Sequence, residues 1–156
     1  MEEFPDVLDE AVKDPRVIAR YFAKITPDPE SECWWWTGAI SGRGHGRFWI
    51  RNGKVVIAQR FGWALAHPGE PVPPVVGHEC DNPLCQQPAH LSASTTKKNR
   101  AEWDARRHTL GSPLRDTRGA RKRAEAIRDA ALSGRNLKDA QNEGLPYADR
   151  HQLPLW

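Results

Sequence analysis

Long apolar runs are missing from this chain of 156 residues. No stretch approaches the roughly 18 consecutive apolar residues that a membrane-spanning helix needs. The opening MEEFPDVLDE is acidic and lacks the basic start and apolar middle of a secretory signal. Cysteine is scarce and odd in number, at three, which excludes a fully paired disulfide framework and fits a reducing, cytoplasmic compartment. No segment repeats another. What the chain does have is the length for one modest core, 28% charged residues and seven tryptophans, three of them consecutive.

The formal net charge of +3 conceals an uneven distribution. Residues 1–32 carry a net -5, residues 33–96 a net +2, residues 97–128 a net +7 and residues 129–156 a net -1. One short segment holds most of the positive field, as expected of a protein that meets a polyanion such as DNA. The same run would also serve as a solvated helix face.

Apolar spacing at Phe4, Val7, Leu8, Ala11 and Val12, then at Val17, Ile18, Tyr21 and Phe22, predicts two helical pieces divided at Asp14-Pro15. Residues 26–29 (TPDP) read as a loop. Cys33 to Thr37 (CWWWT) reads as a buried strand, because three indoles are too much apolar surface to leave wet. Arg47–Ile50 and Lys54–Ala58 flank an Asn-Gly pair and predict a hairpin. Residues 58–67 predict a short helix, Val75-Val76 and Leu91-Ser92 two brief strands, and Thr95 or Thr96 the cap of a helix running to about Arg107. A basic helix follows over about Arg118–Leu132, with an apolar stripe of Ala120, Ala124, Ile127 and Ala131 extended by Leu132 and Leu137. A shorter helix spans 136–143 and an extended tail closes the chain.

The densest chemistry lies in His78-Glu-Cys80-Asp-Asn-Pro-Leu-Cys85-Gln-Gln-Pro-Ala-His90. Two thiolates and an imidazole at this spacing supply three ligands of a tetrahedral zinc site. The fourth is either Cys33, which clamps the tryptophan strand onto the loop, or His78, which leaves Cys33 as a buried inert thiol.

The order His78, Cys80, Cys85, His90, Asn99, together with CWWWTGA, GHGRF and AQRFGWAL upstream, resembles the His-Cys box branch of the HNH endonucleases. This is the ββα-metal, or His-Me finger, superfamily in its phage and bacterial form, and the likeness covers about residues 18–108. It implies an α+β fold with a ββα-metal core, a β-hairpin, a structural zinc and flanking helices. It implies His78 as the general base, Asn99 as ligand of a catalytic magnesium or other divalent ion, and Cys33, Cys80, Cys85 and His90 as the zinc ligands. Arg47 and Arg60 match positions suited to holding the scissile phosphate. Three positions depart from the pattern: Gly77 stands where relatives carry a further metal ligand, Gln59 where a histidine is usual, and Gln87 where an asparagine is common.

Beyond that core, Arg118, Arg121, Lys122 and Arg123 are expected to contact DNA phosphates along a helix, which with the 136–143 helix makes a minimal helix-turn-helix. Gln152, Leu153, Leu155 and Trp156 resemble the QLxLF peptide that docks bacterial DNA-processing proteins on the sliding clamp. The remaining histidines (His45, His67, His108, His151) read as ordinary, Asp104 as a surface ion-pair partner, and Trp103 as packing its helix onto the hairpin.

The expected organisation is an N-terminal helical segment over 1–32, a nuclease core over 33–110, a basic helical arm over 111–146 and an extended tail over 147–156. The expected function is metal-dependent hydrolysis of DNA phosphodiester bonds in the cytoplasm, in association with the nucleoid. Two cuts on opposite strands need two active sites, so a homodimer would cut both strands and a monomer would nick. The rival expectation is a zinc-stabilised DNA-binding protein without chemistry, docked on the clamp by its tail.

Overall fold

The computed structural model describes residues 4–151 and is a mixed α+β fold. Helices α1 (Phe4–Ala11) and α2 (Pro15–Phe22) meet at Asp14, whose carboxylate accepts from the Arg16 amide at 2.9 Å. Pro15 takes the first helical position, where no N–H is needed. Val7, Leu8, Ala11, Val17 and Tyr21 are the buried faces of this pair.

Strand β1 (Ile25–Pro27) pairs antiparallel with β2 (Trp34–Trp36) in the register Ile25↔Trp36, Thr26↔Trp35, Pro27↔Trp34. The residues expected as a loop therefore begin as a strand. The buried tryptophan backbone needs a hydrogen-bonding partner, and Pro27 is tolerated because it lies at a sheet edge. Trp35 and Trp36 are fully buried, and the turn between the strands is organised by Asp28. Its carboxylate accepts from Trp35 Nε1 (3.1 Å), Ser31 Oγ (2.7 Å), the Glu30 amide (3.0 Å) and Gln141 Nε2 (3.1 Å).

A three-stranded sheet follows in the order β3 (Ile40–Ser41), β4 (His45–Arg51), β5 (Lys54–Ile57). Along β4, Gly46, Phe48 and Ile50 face the core, while Arg47, Trp49 and Arg51 face out. Gly53 (φ 70°) completes the expected Asn-Gly turn, and the register shifts between Trp49 and Arg51. Helix α3 (Ala58–Ala66) buries Ala58, Phe61 and Ala64.

Strand β6 (Val75–His78) then pairs antiparallel with β7 (Leu91–Ser94), Gly77 facing Ser92 and His78 facing Leu91. Helix α4 (Thr96–Arg106) comes directly after, started by the Thr95 hydroxyl accepting from the Lys98 amide at 3.2 Å. The chain thus runs strand, strand, helix over residues 75–106.

The C-terminal helices are α5 (Ala120–Ser133), α6 (Leu137–Asn142) and α7 (Tyr147–Arg150). Gly134 in the left-handed region (φ 70°) ends α5, and the Asn136 side chain caps α6. α5 is no projecting arm: Ala124, Ile127 and Ala130 belong to the same core as Trp35, Trp36, Phe48 and Phe61. Its backbone comes so close to Gly44 that a Cβ there would stand 2.7 Å from the Ala120 carbonyl oxygen. The stripe runs through Ala130 where Ala131 was expected, and Leu132 is exposed. Residues 147–150 are helical where a tail was expected, tied back by Arg115 Nε to Asp149 Oδ2 at 2.6 Å. The clamp-like Gln152, Leu153, Leu155 and Trp156 lie outside the described residues. No helix among the described residues is long and apolar enough to cross a membrane.

Candidate metal centre and the adjoining cavity

The loop between β6 and β7 is stitched to the tryptophan strand by its backbone. The Gln86 amide donates to the Trp34 carbonyl at 2.8 Å, the Trp36 amide to the Leu84 carbonyl at 3.3 Å, and Trp35 and Cys85 form a β-bridge. This places Cys33, at the start of that strand, beside Cys80, Cys85 and His90.

The three Sγ atoms and one ring nitrogen of His90 all lie within 4.8 Å of one another. His90 Nδ1 is 3.6 Å from Cys33 Sγ and 3.5 Å from Cys85 Sγ. Tetrahedral zinc, with bonds of roughly 2.3 Å to sulfur and 2.0 Å to nitrogen, spaces its ligand atoms by about 3.5 Å, so the donor set fits a metal such as zinc. The Gln87 amide (3.4 Å from Cys85 Sγ) and Asn82 Nδ2 (3.8 Å from Cys33 Sγ) point N–H groups at the sulfurs.

The thiols share one easily lost proton. Hydrogen bonds from Cys33 and Cys85 hold the Cys80 thiol down to about 2, and the resulting thiolate pushes Cys33 up to about 12 and Cys85 also upward. Two buried sulfurs and one half-buried one can all ionise only with a cation between them. Of the two possible fourth ligands, Cys33 is the one whose donor atom lies with the other three.

His78 is spent elsewhere: its Nε2–H donates to the Cys85 carbonyl at 2.9 Å. The proton is fixed on Nε2, so Nδ1 carries the free lone pair. Burial lowers the pKa of the ring, against the pull of the Cys80 thiolate. On the far side of the loop, Arg106 at the end of α4 grips Asp81 through Nε and Nη2 (2.7–3.1 Å) and reaches the His78 carbonyl at 3.3 Å.

His78 borders a cavity of about 390 Å³ that also takes in Gly77, Asn99 and three arginines, Arg43, Arg60 and Arg106. Asn99, on the first turn of α4, lies over Gly77: a Cβ at that position would stand 3.2 Å from Asn99 Oδ1 and 3.3 Å from Ser92 Oγ. The bare glycine is what lets the asparagine come in.

The other expected residues divide. Arg60 borders the cavity while its Nη1 donates to the Pro73 carbonyl at 3.0 Å. Arg47 is exposed on β4 and is not among the residues around the cavity. Gln59 is buried at the cavity wall, and its Oε1 has no hydrogen-bond partner among the described residues. Asp104 pairs with Arg100 at 3.7 Å on the surface.

The basic helix needs correction. Arg123 is only 5% exposed; its guanidinium contacts Asp116 Oδ2 (3.1 Å), Asn82 Oδ1 (3.1 Å) and the Gln141 carbonyl. Arg118 is held by Asp116 and the Ala140 carbonyl at 2.8 Å. Both are structural cations, because a buried Asp116 needs them. Arg121, paired with Glu125 at 3.0 Å, and Lys122 remain exposed.

Four cavity residues were missed by sequence reasoning. Arg43 arrives from the turn before β4 and His45 from the first position of β4, the His45 ring 6.3 Å from that of His78, and Trp103 and Arg106 arrive from α4. Burial, then the neighbouring His78 and Arg43, push His45 down to about 4. Nothing in the spacing of the 78–99 motif points to them; only the packing of the Gly-rich turn against the β6–β7 loop does.

No family model matches the chain, and no solved structure matches it. It is similar to two proteins of Escherichia phage T7. Protein 2.8 is 44% identical over 70 residues, 44% of this chain and 47% of that protein, so the chain spans about half the length of that relative. Protein 7.7 is 34% identical over 110 residues, covering 68% of this chain and 81% of that protein. At that identity and coverage, the chain belongs to the family of phage T7 protein 7.7.

Proposed function

We propose that the protein is a metal-dependent DNA endonuclease of the ββα-metal type, with β6, β7 and α4 as its core and His78 as general base. The observation that carries this reading is the Nε2–H bond to Cys85, which leaves Nδ1 as the proton-accepting nitrogen of a ring that borders a cavity lined by Arg43, Arg60 and the Arg106–Asp81 pair. Nδ1 takes a proton from water as the oxygen attacks phosphorus. Arg43 and Arg60 provide the positive wall that holds a phosphodiester in place, while Arg106 is committed to Asp81. Asn99 Oδ1 is an oxygen donor of the kind a hard divalent cation prefers, and it would hold the catalytic ion with help from phosphate oxygens. When bound, that ion supplies charge stabilisation to the pentacovalent phosphate and the leaving 3′ oxygen. A zinc ion on Cys33, Cys80, Cys85 and His90 would be structural, fixing the loop whose Cys85 carbonyl orients His78.

The test is nicking of supercoiled plasmid with magnesium, comparing wild type with His78→Ala. Cutting that needs magnesium and vanishes in the variant supports the assignment. Gly77 favours a second reading, a zinc-stabilised DNA-binding protein without chemistry, since no side chain at that position can add a metal ligand. Folded, zinc-loaded wild type that binds DNA and never cuts it would select that reading.

A further inference from the structure

Trp103 stands four residues beyond Asn99 on α4, about 6 Å further along the helix axis, and borders the same cavity. Trp103 is 38% exposed, so part of its surface is open to solvent. Two guanidinium groups hold the ring, one from its own helix and one from the residue that follows it: Arg100 Cζ is 5.3 Å and Arg107 Cζ 4.9 Å from its centroid. These cation–π contacts orient an aromatic surface, partly open to solvent, beside a cavity lined by Arg43, Arg60 and the Arg106–Asp81 pair. Lys97, Lys98, Arg100 and Arg107 are all exposed on or beside this helix, so a polyanion is the partner whose charge fits the surface.

We propose that Trp103 is a stacking platform for an unpaired nucleobase next to the phosphate held in the cavity. The protein then prefers single-stranded DNA, or a duplex opened at the cut site, over continuous duplex. The inference rests on the nucleic-acid part of the reading above and adds the strandedness of the substrate. In a continuous duplex each base face is covered by its neighbours, and an indole at the rim gains nothing from it. A splayed base offers a free face, which an aromatic side chain accepts without regard to sequence.

The test measures binding of a labelled short single strand and of the same sequence closed as a hairpin duplex. The protein is zinc-loaded and full length, with calcium in place of magnesium so that no cutting intervenes. Trp103→Leu keeps an apolar helix-forming side chain without a π face, Trp103→Phe keeps a face, and Trp49→Ala removes an exposed indole away from the cavity. Trp103→Leu is expected to weaken single-strand binding roughly tenfold and duplex binding less than about twofold. Trp103→Phe should retain most of the single-strand affinity, and Trp49→Ala should leave both affinities unchanged. Equal losses on both DNAs, or no loss on the single strand, overturn the proposal. If wild type binds single strands through Trp103 but never cuts, the nuclease reading falls and this one stands. If wild type cuts while Trp103→Leu binds both DNAs normally, the reverse holds.

Discussion

The Nε2–H of His78 donates to the main-chain carbonyl of Cys85, 2.9 Å away, and the Cys85 thiol belongs to the metal cluster. The ring of the proposed base is thus oriented by the residue that a structural ion would fix. Without metal, the sulfurs repel or stay protonated, and the 80–90 loop is left with its backbone bonds to the tryptophan strand and the Arg106–Asp81 pair.

The first prediction follows from that dependence. The purified chain should carry one zinc per molecule, and Cys85→Ser should lose it. Chelation should lower the melting temperature by more than about 10 °C, because metal binding to such a site is folding free energy. Elemental analysis and thermal melts with and without chelator check this. A melt unchanged by chelation contradicts it.

Asn99 is exposed on α4, and its Oδ1 lies over Gly77. Asn99→Ala should therefore remove activity while changing stability by less than about 0.5 kcal/mol, the usual range for an exposed substitution. Plasmid nicking and urea denaturation on the same preparation separate the two effects. Full activity in the variant would take Asn99 out of the site.

Arg123 and Lys122 are neighbours with opposite fates. Arg123→Met leaves the buried Asp116 carboxylate with Arg118 as its one remaining cation among the described residues and removes a contact to Asn82, which itself touches Cys33 Sγ. It should cost about 1–3 kcal/mol, the usual loss for a buried hydrogen-bonded charge. Lys122→Ala should cost under about 0.5 kcal/mol. Denaturation curves decide, and equal values for the two variants would contradict the buried role.

His45 makes stability depend on pH. In the unfolded chain an imidazole titrates near about 6.5, whereas in the fold burial pushes His45 down to about 4. Its contribution is fully present above about pH 6.5. Below that the unfolded chain takes up a proton that the native state refuses, so stability falls until about pH 4, by up to about 3 kcal/mol. His45→Gln should flatten this part of the profile in urea melts across the range. An unchanged slope would place the effect in other groups.

Much of this architecture is written locally. Asp14-Pro15, Thr95 and Asn136 start helices through their own side chains or ring, and Gly53 and Gly134 supply the positive φ that ends a strand or a helix. The Cys/His cluster that could hold a metal was legible because thiolates and imidazole at that spacing have few other uses, although choosing Cys33 over His78 required the fold. Strand β1 was not legible, because Ile25–Pro27 has no strand signal of its own and exists to pair with Trp34–Trp36. Arg118 and Arg123 look like any basic run until Asp116 and Asn82 are seen beside them. His45 and Arg43 join the cavity through packing between distant segments, which a single sequence does not display.

Plasmid nicking by wild type and His78→Ala, each shown to be zinc-loaded and folded, tests the central claim most directly. The account predicts magnesium-dependent conversion of supercoiled plasmid by wild type and loss of at least about 100-fold in the variant, the usual worth of a positioned general base. Equal cutting by both proteins would contradict the assignment of His78, and no cutting by a wild type that binds DNA would contradict the nuclease.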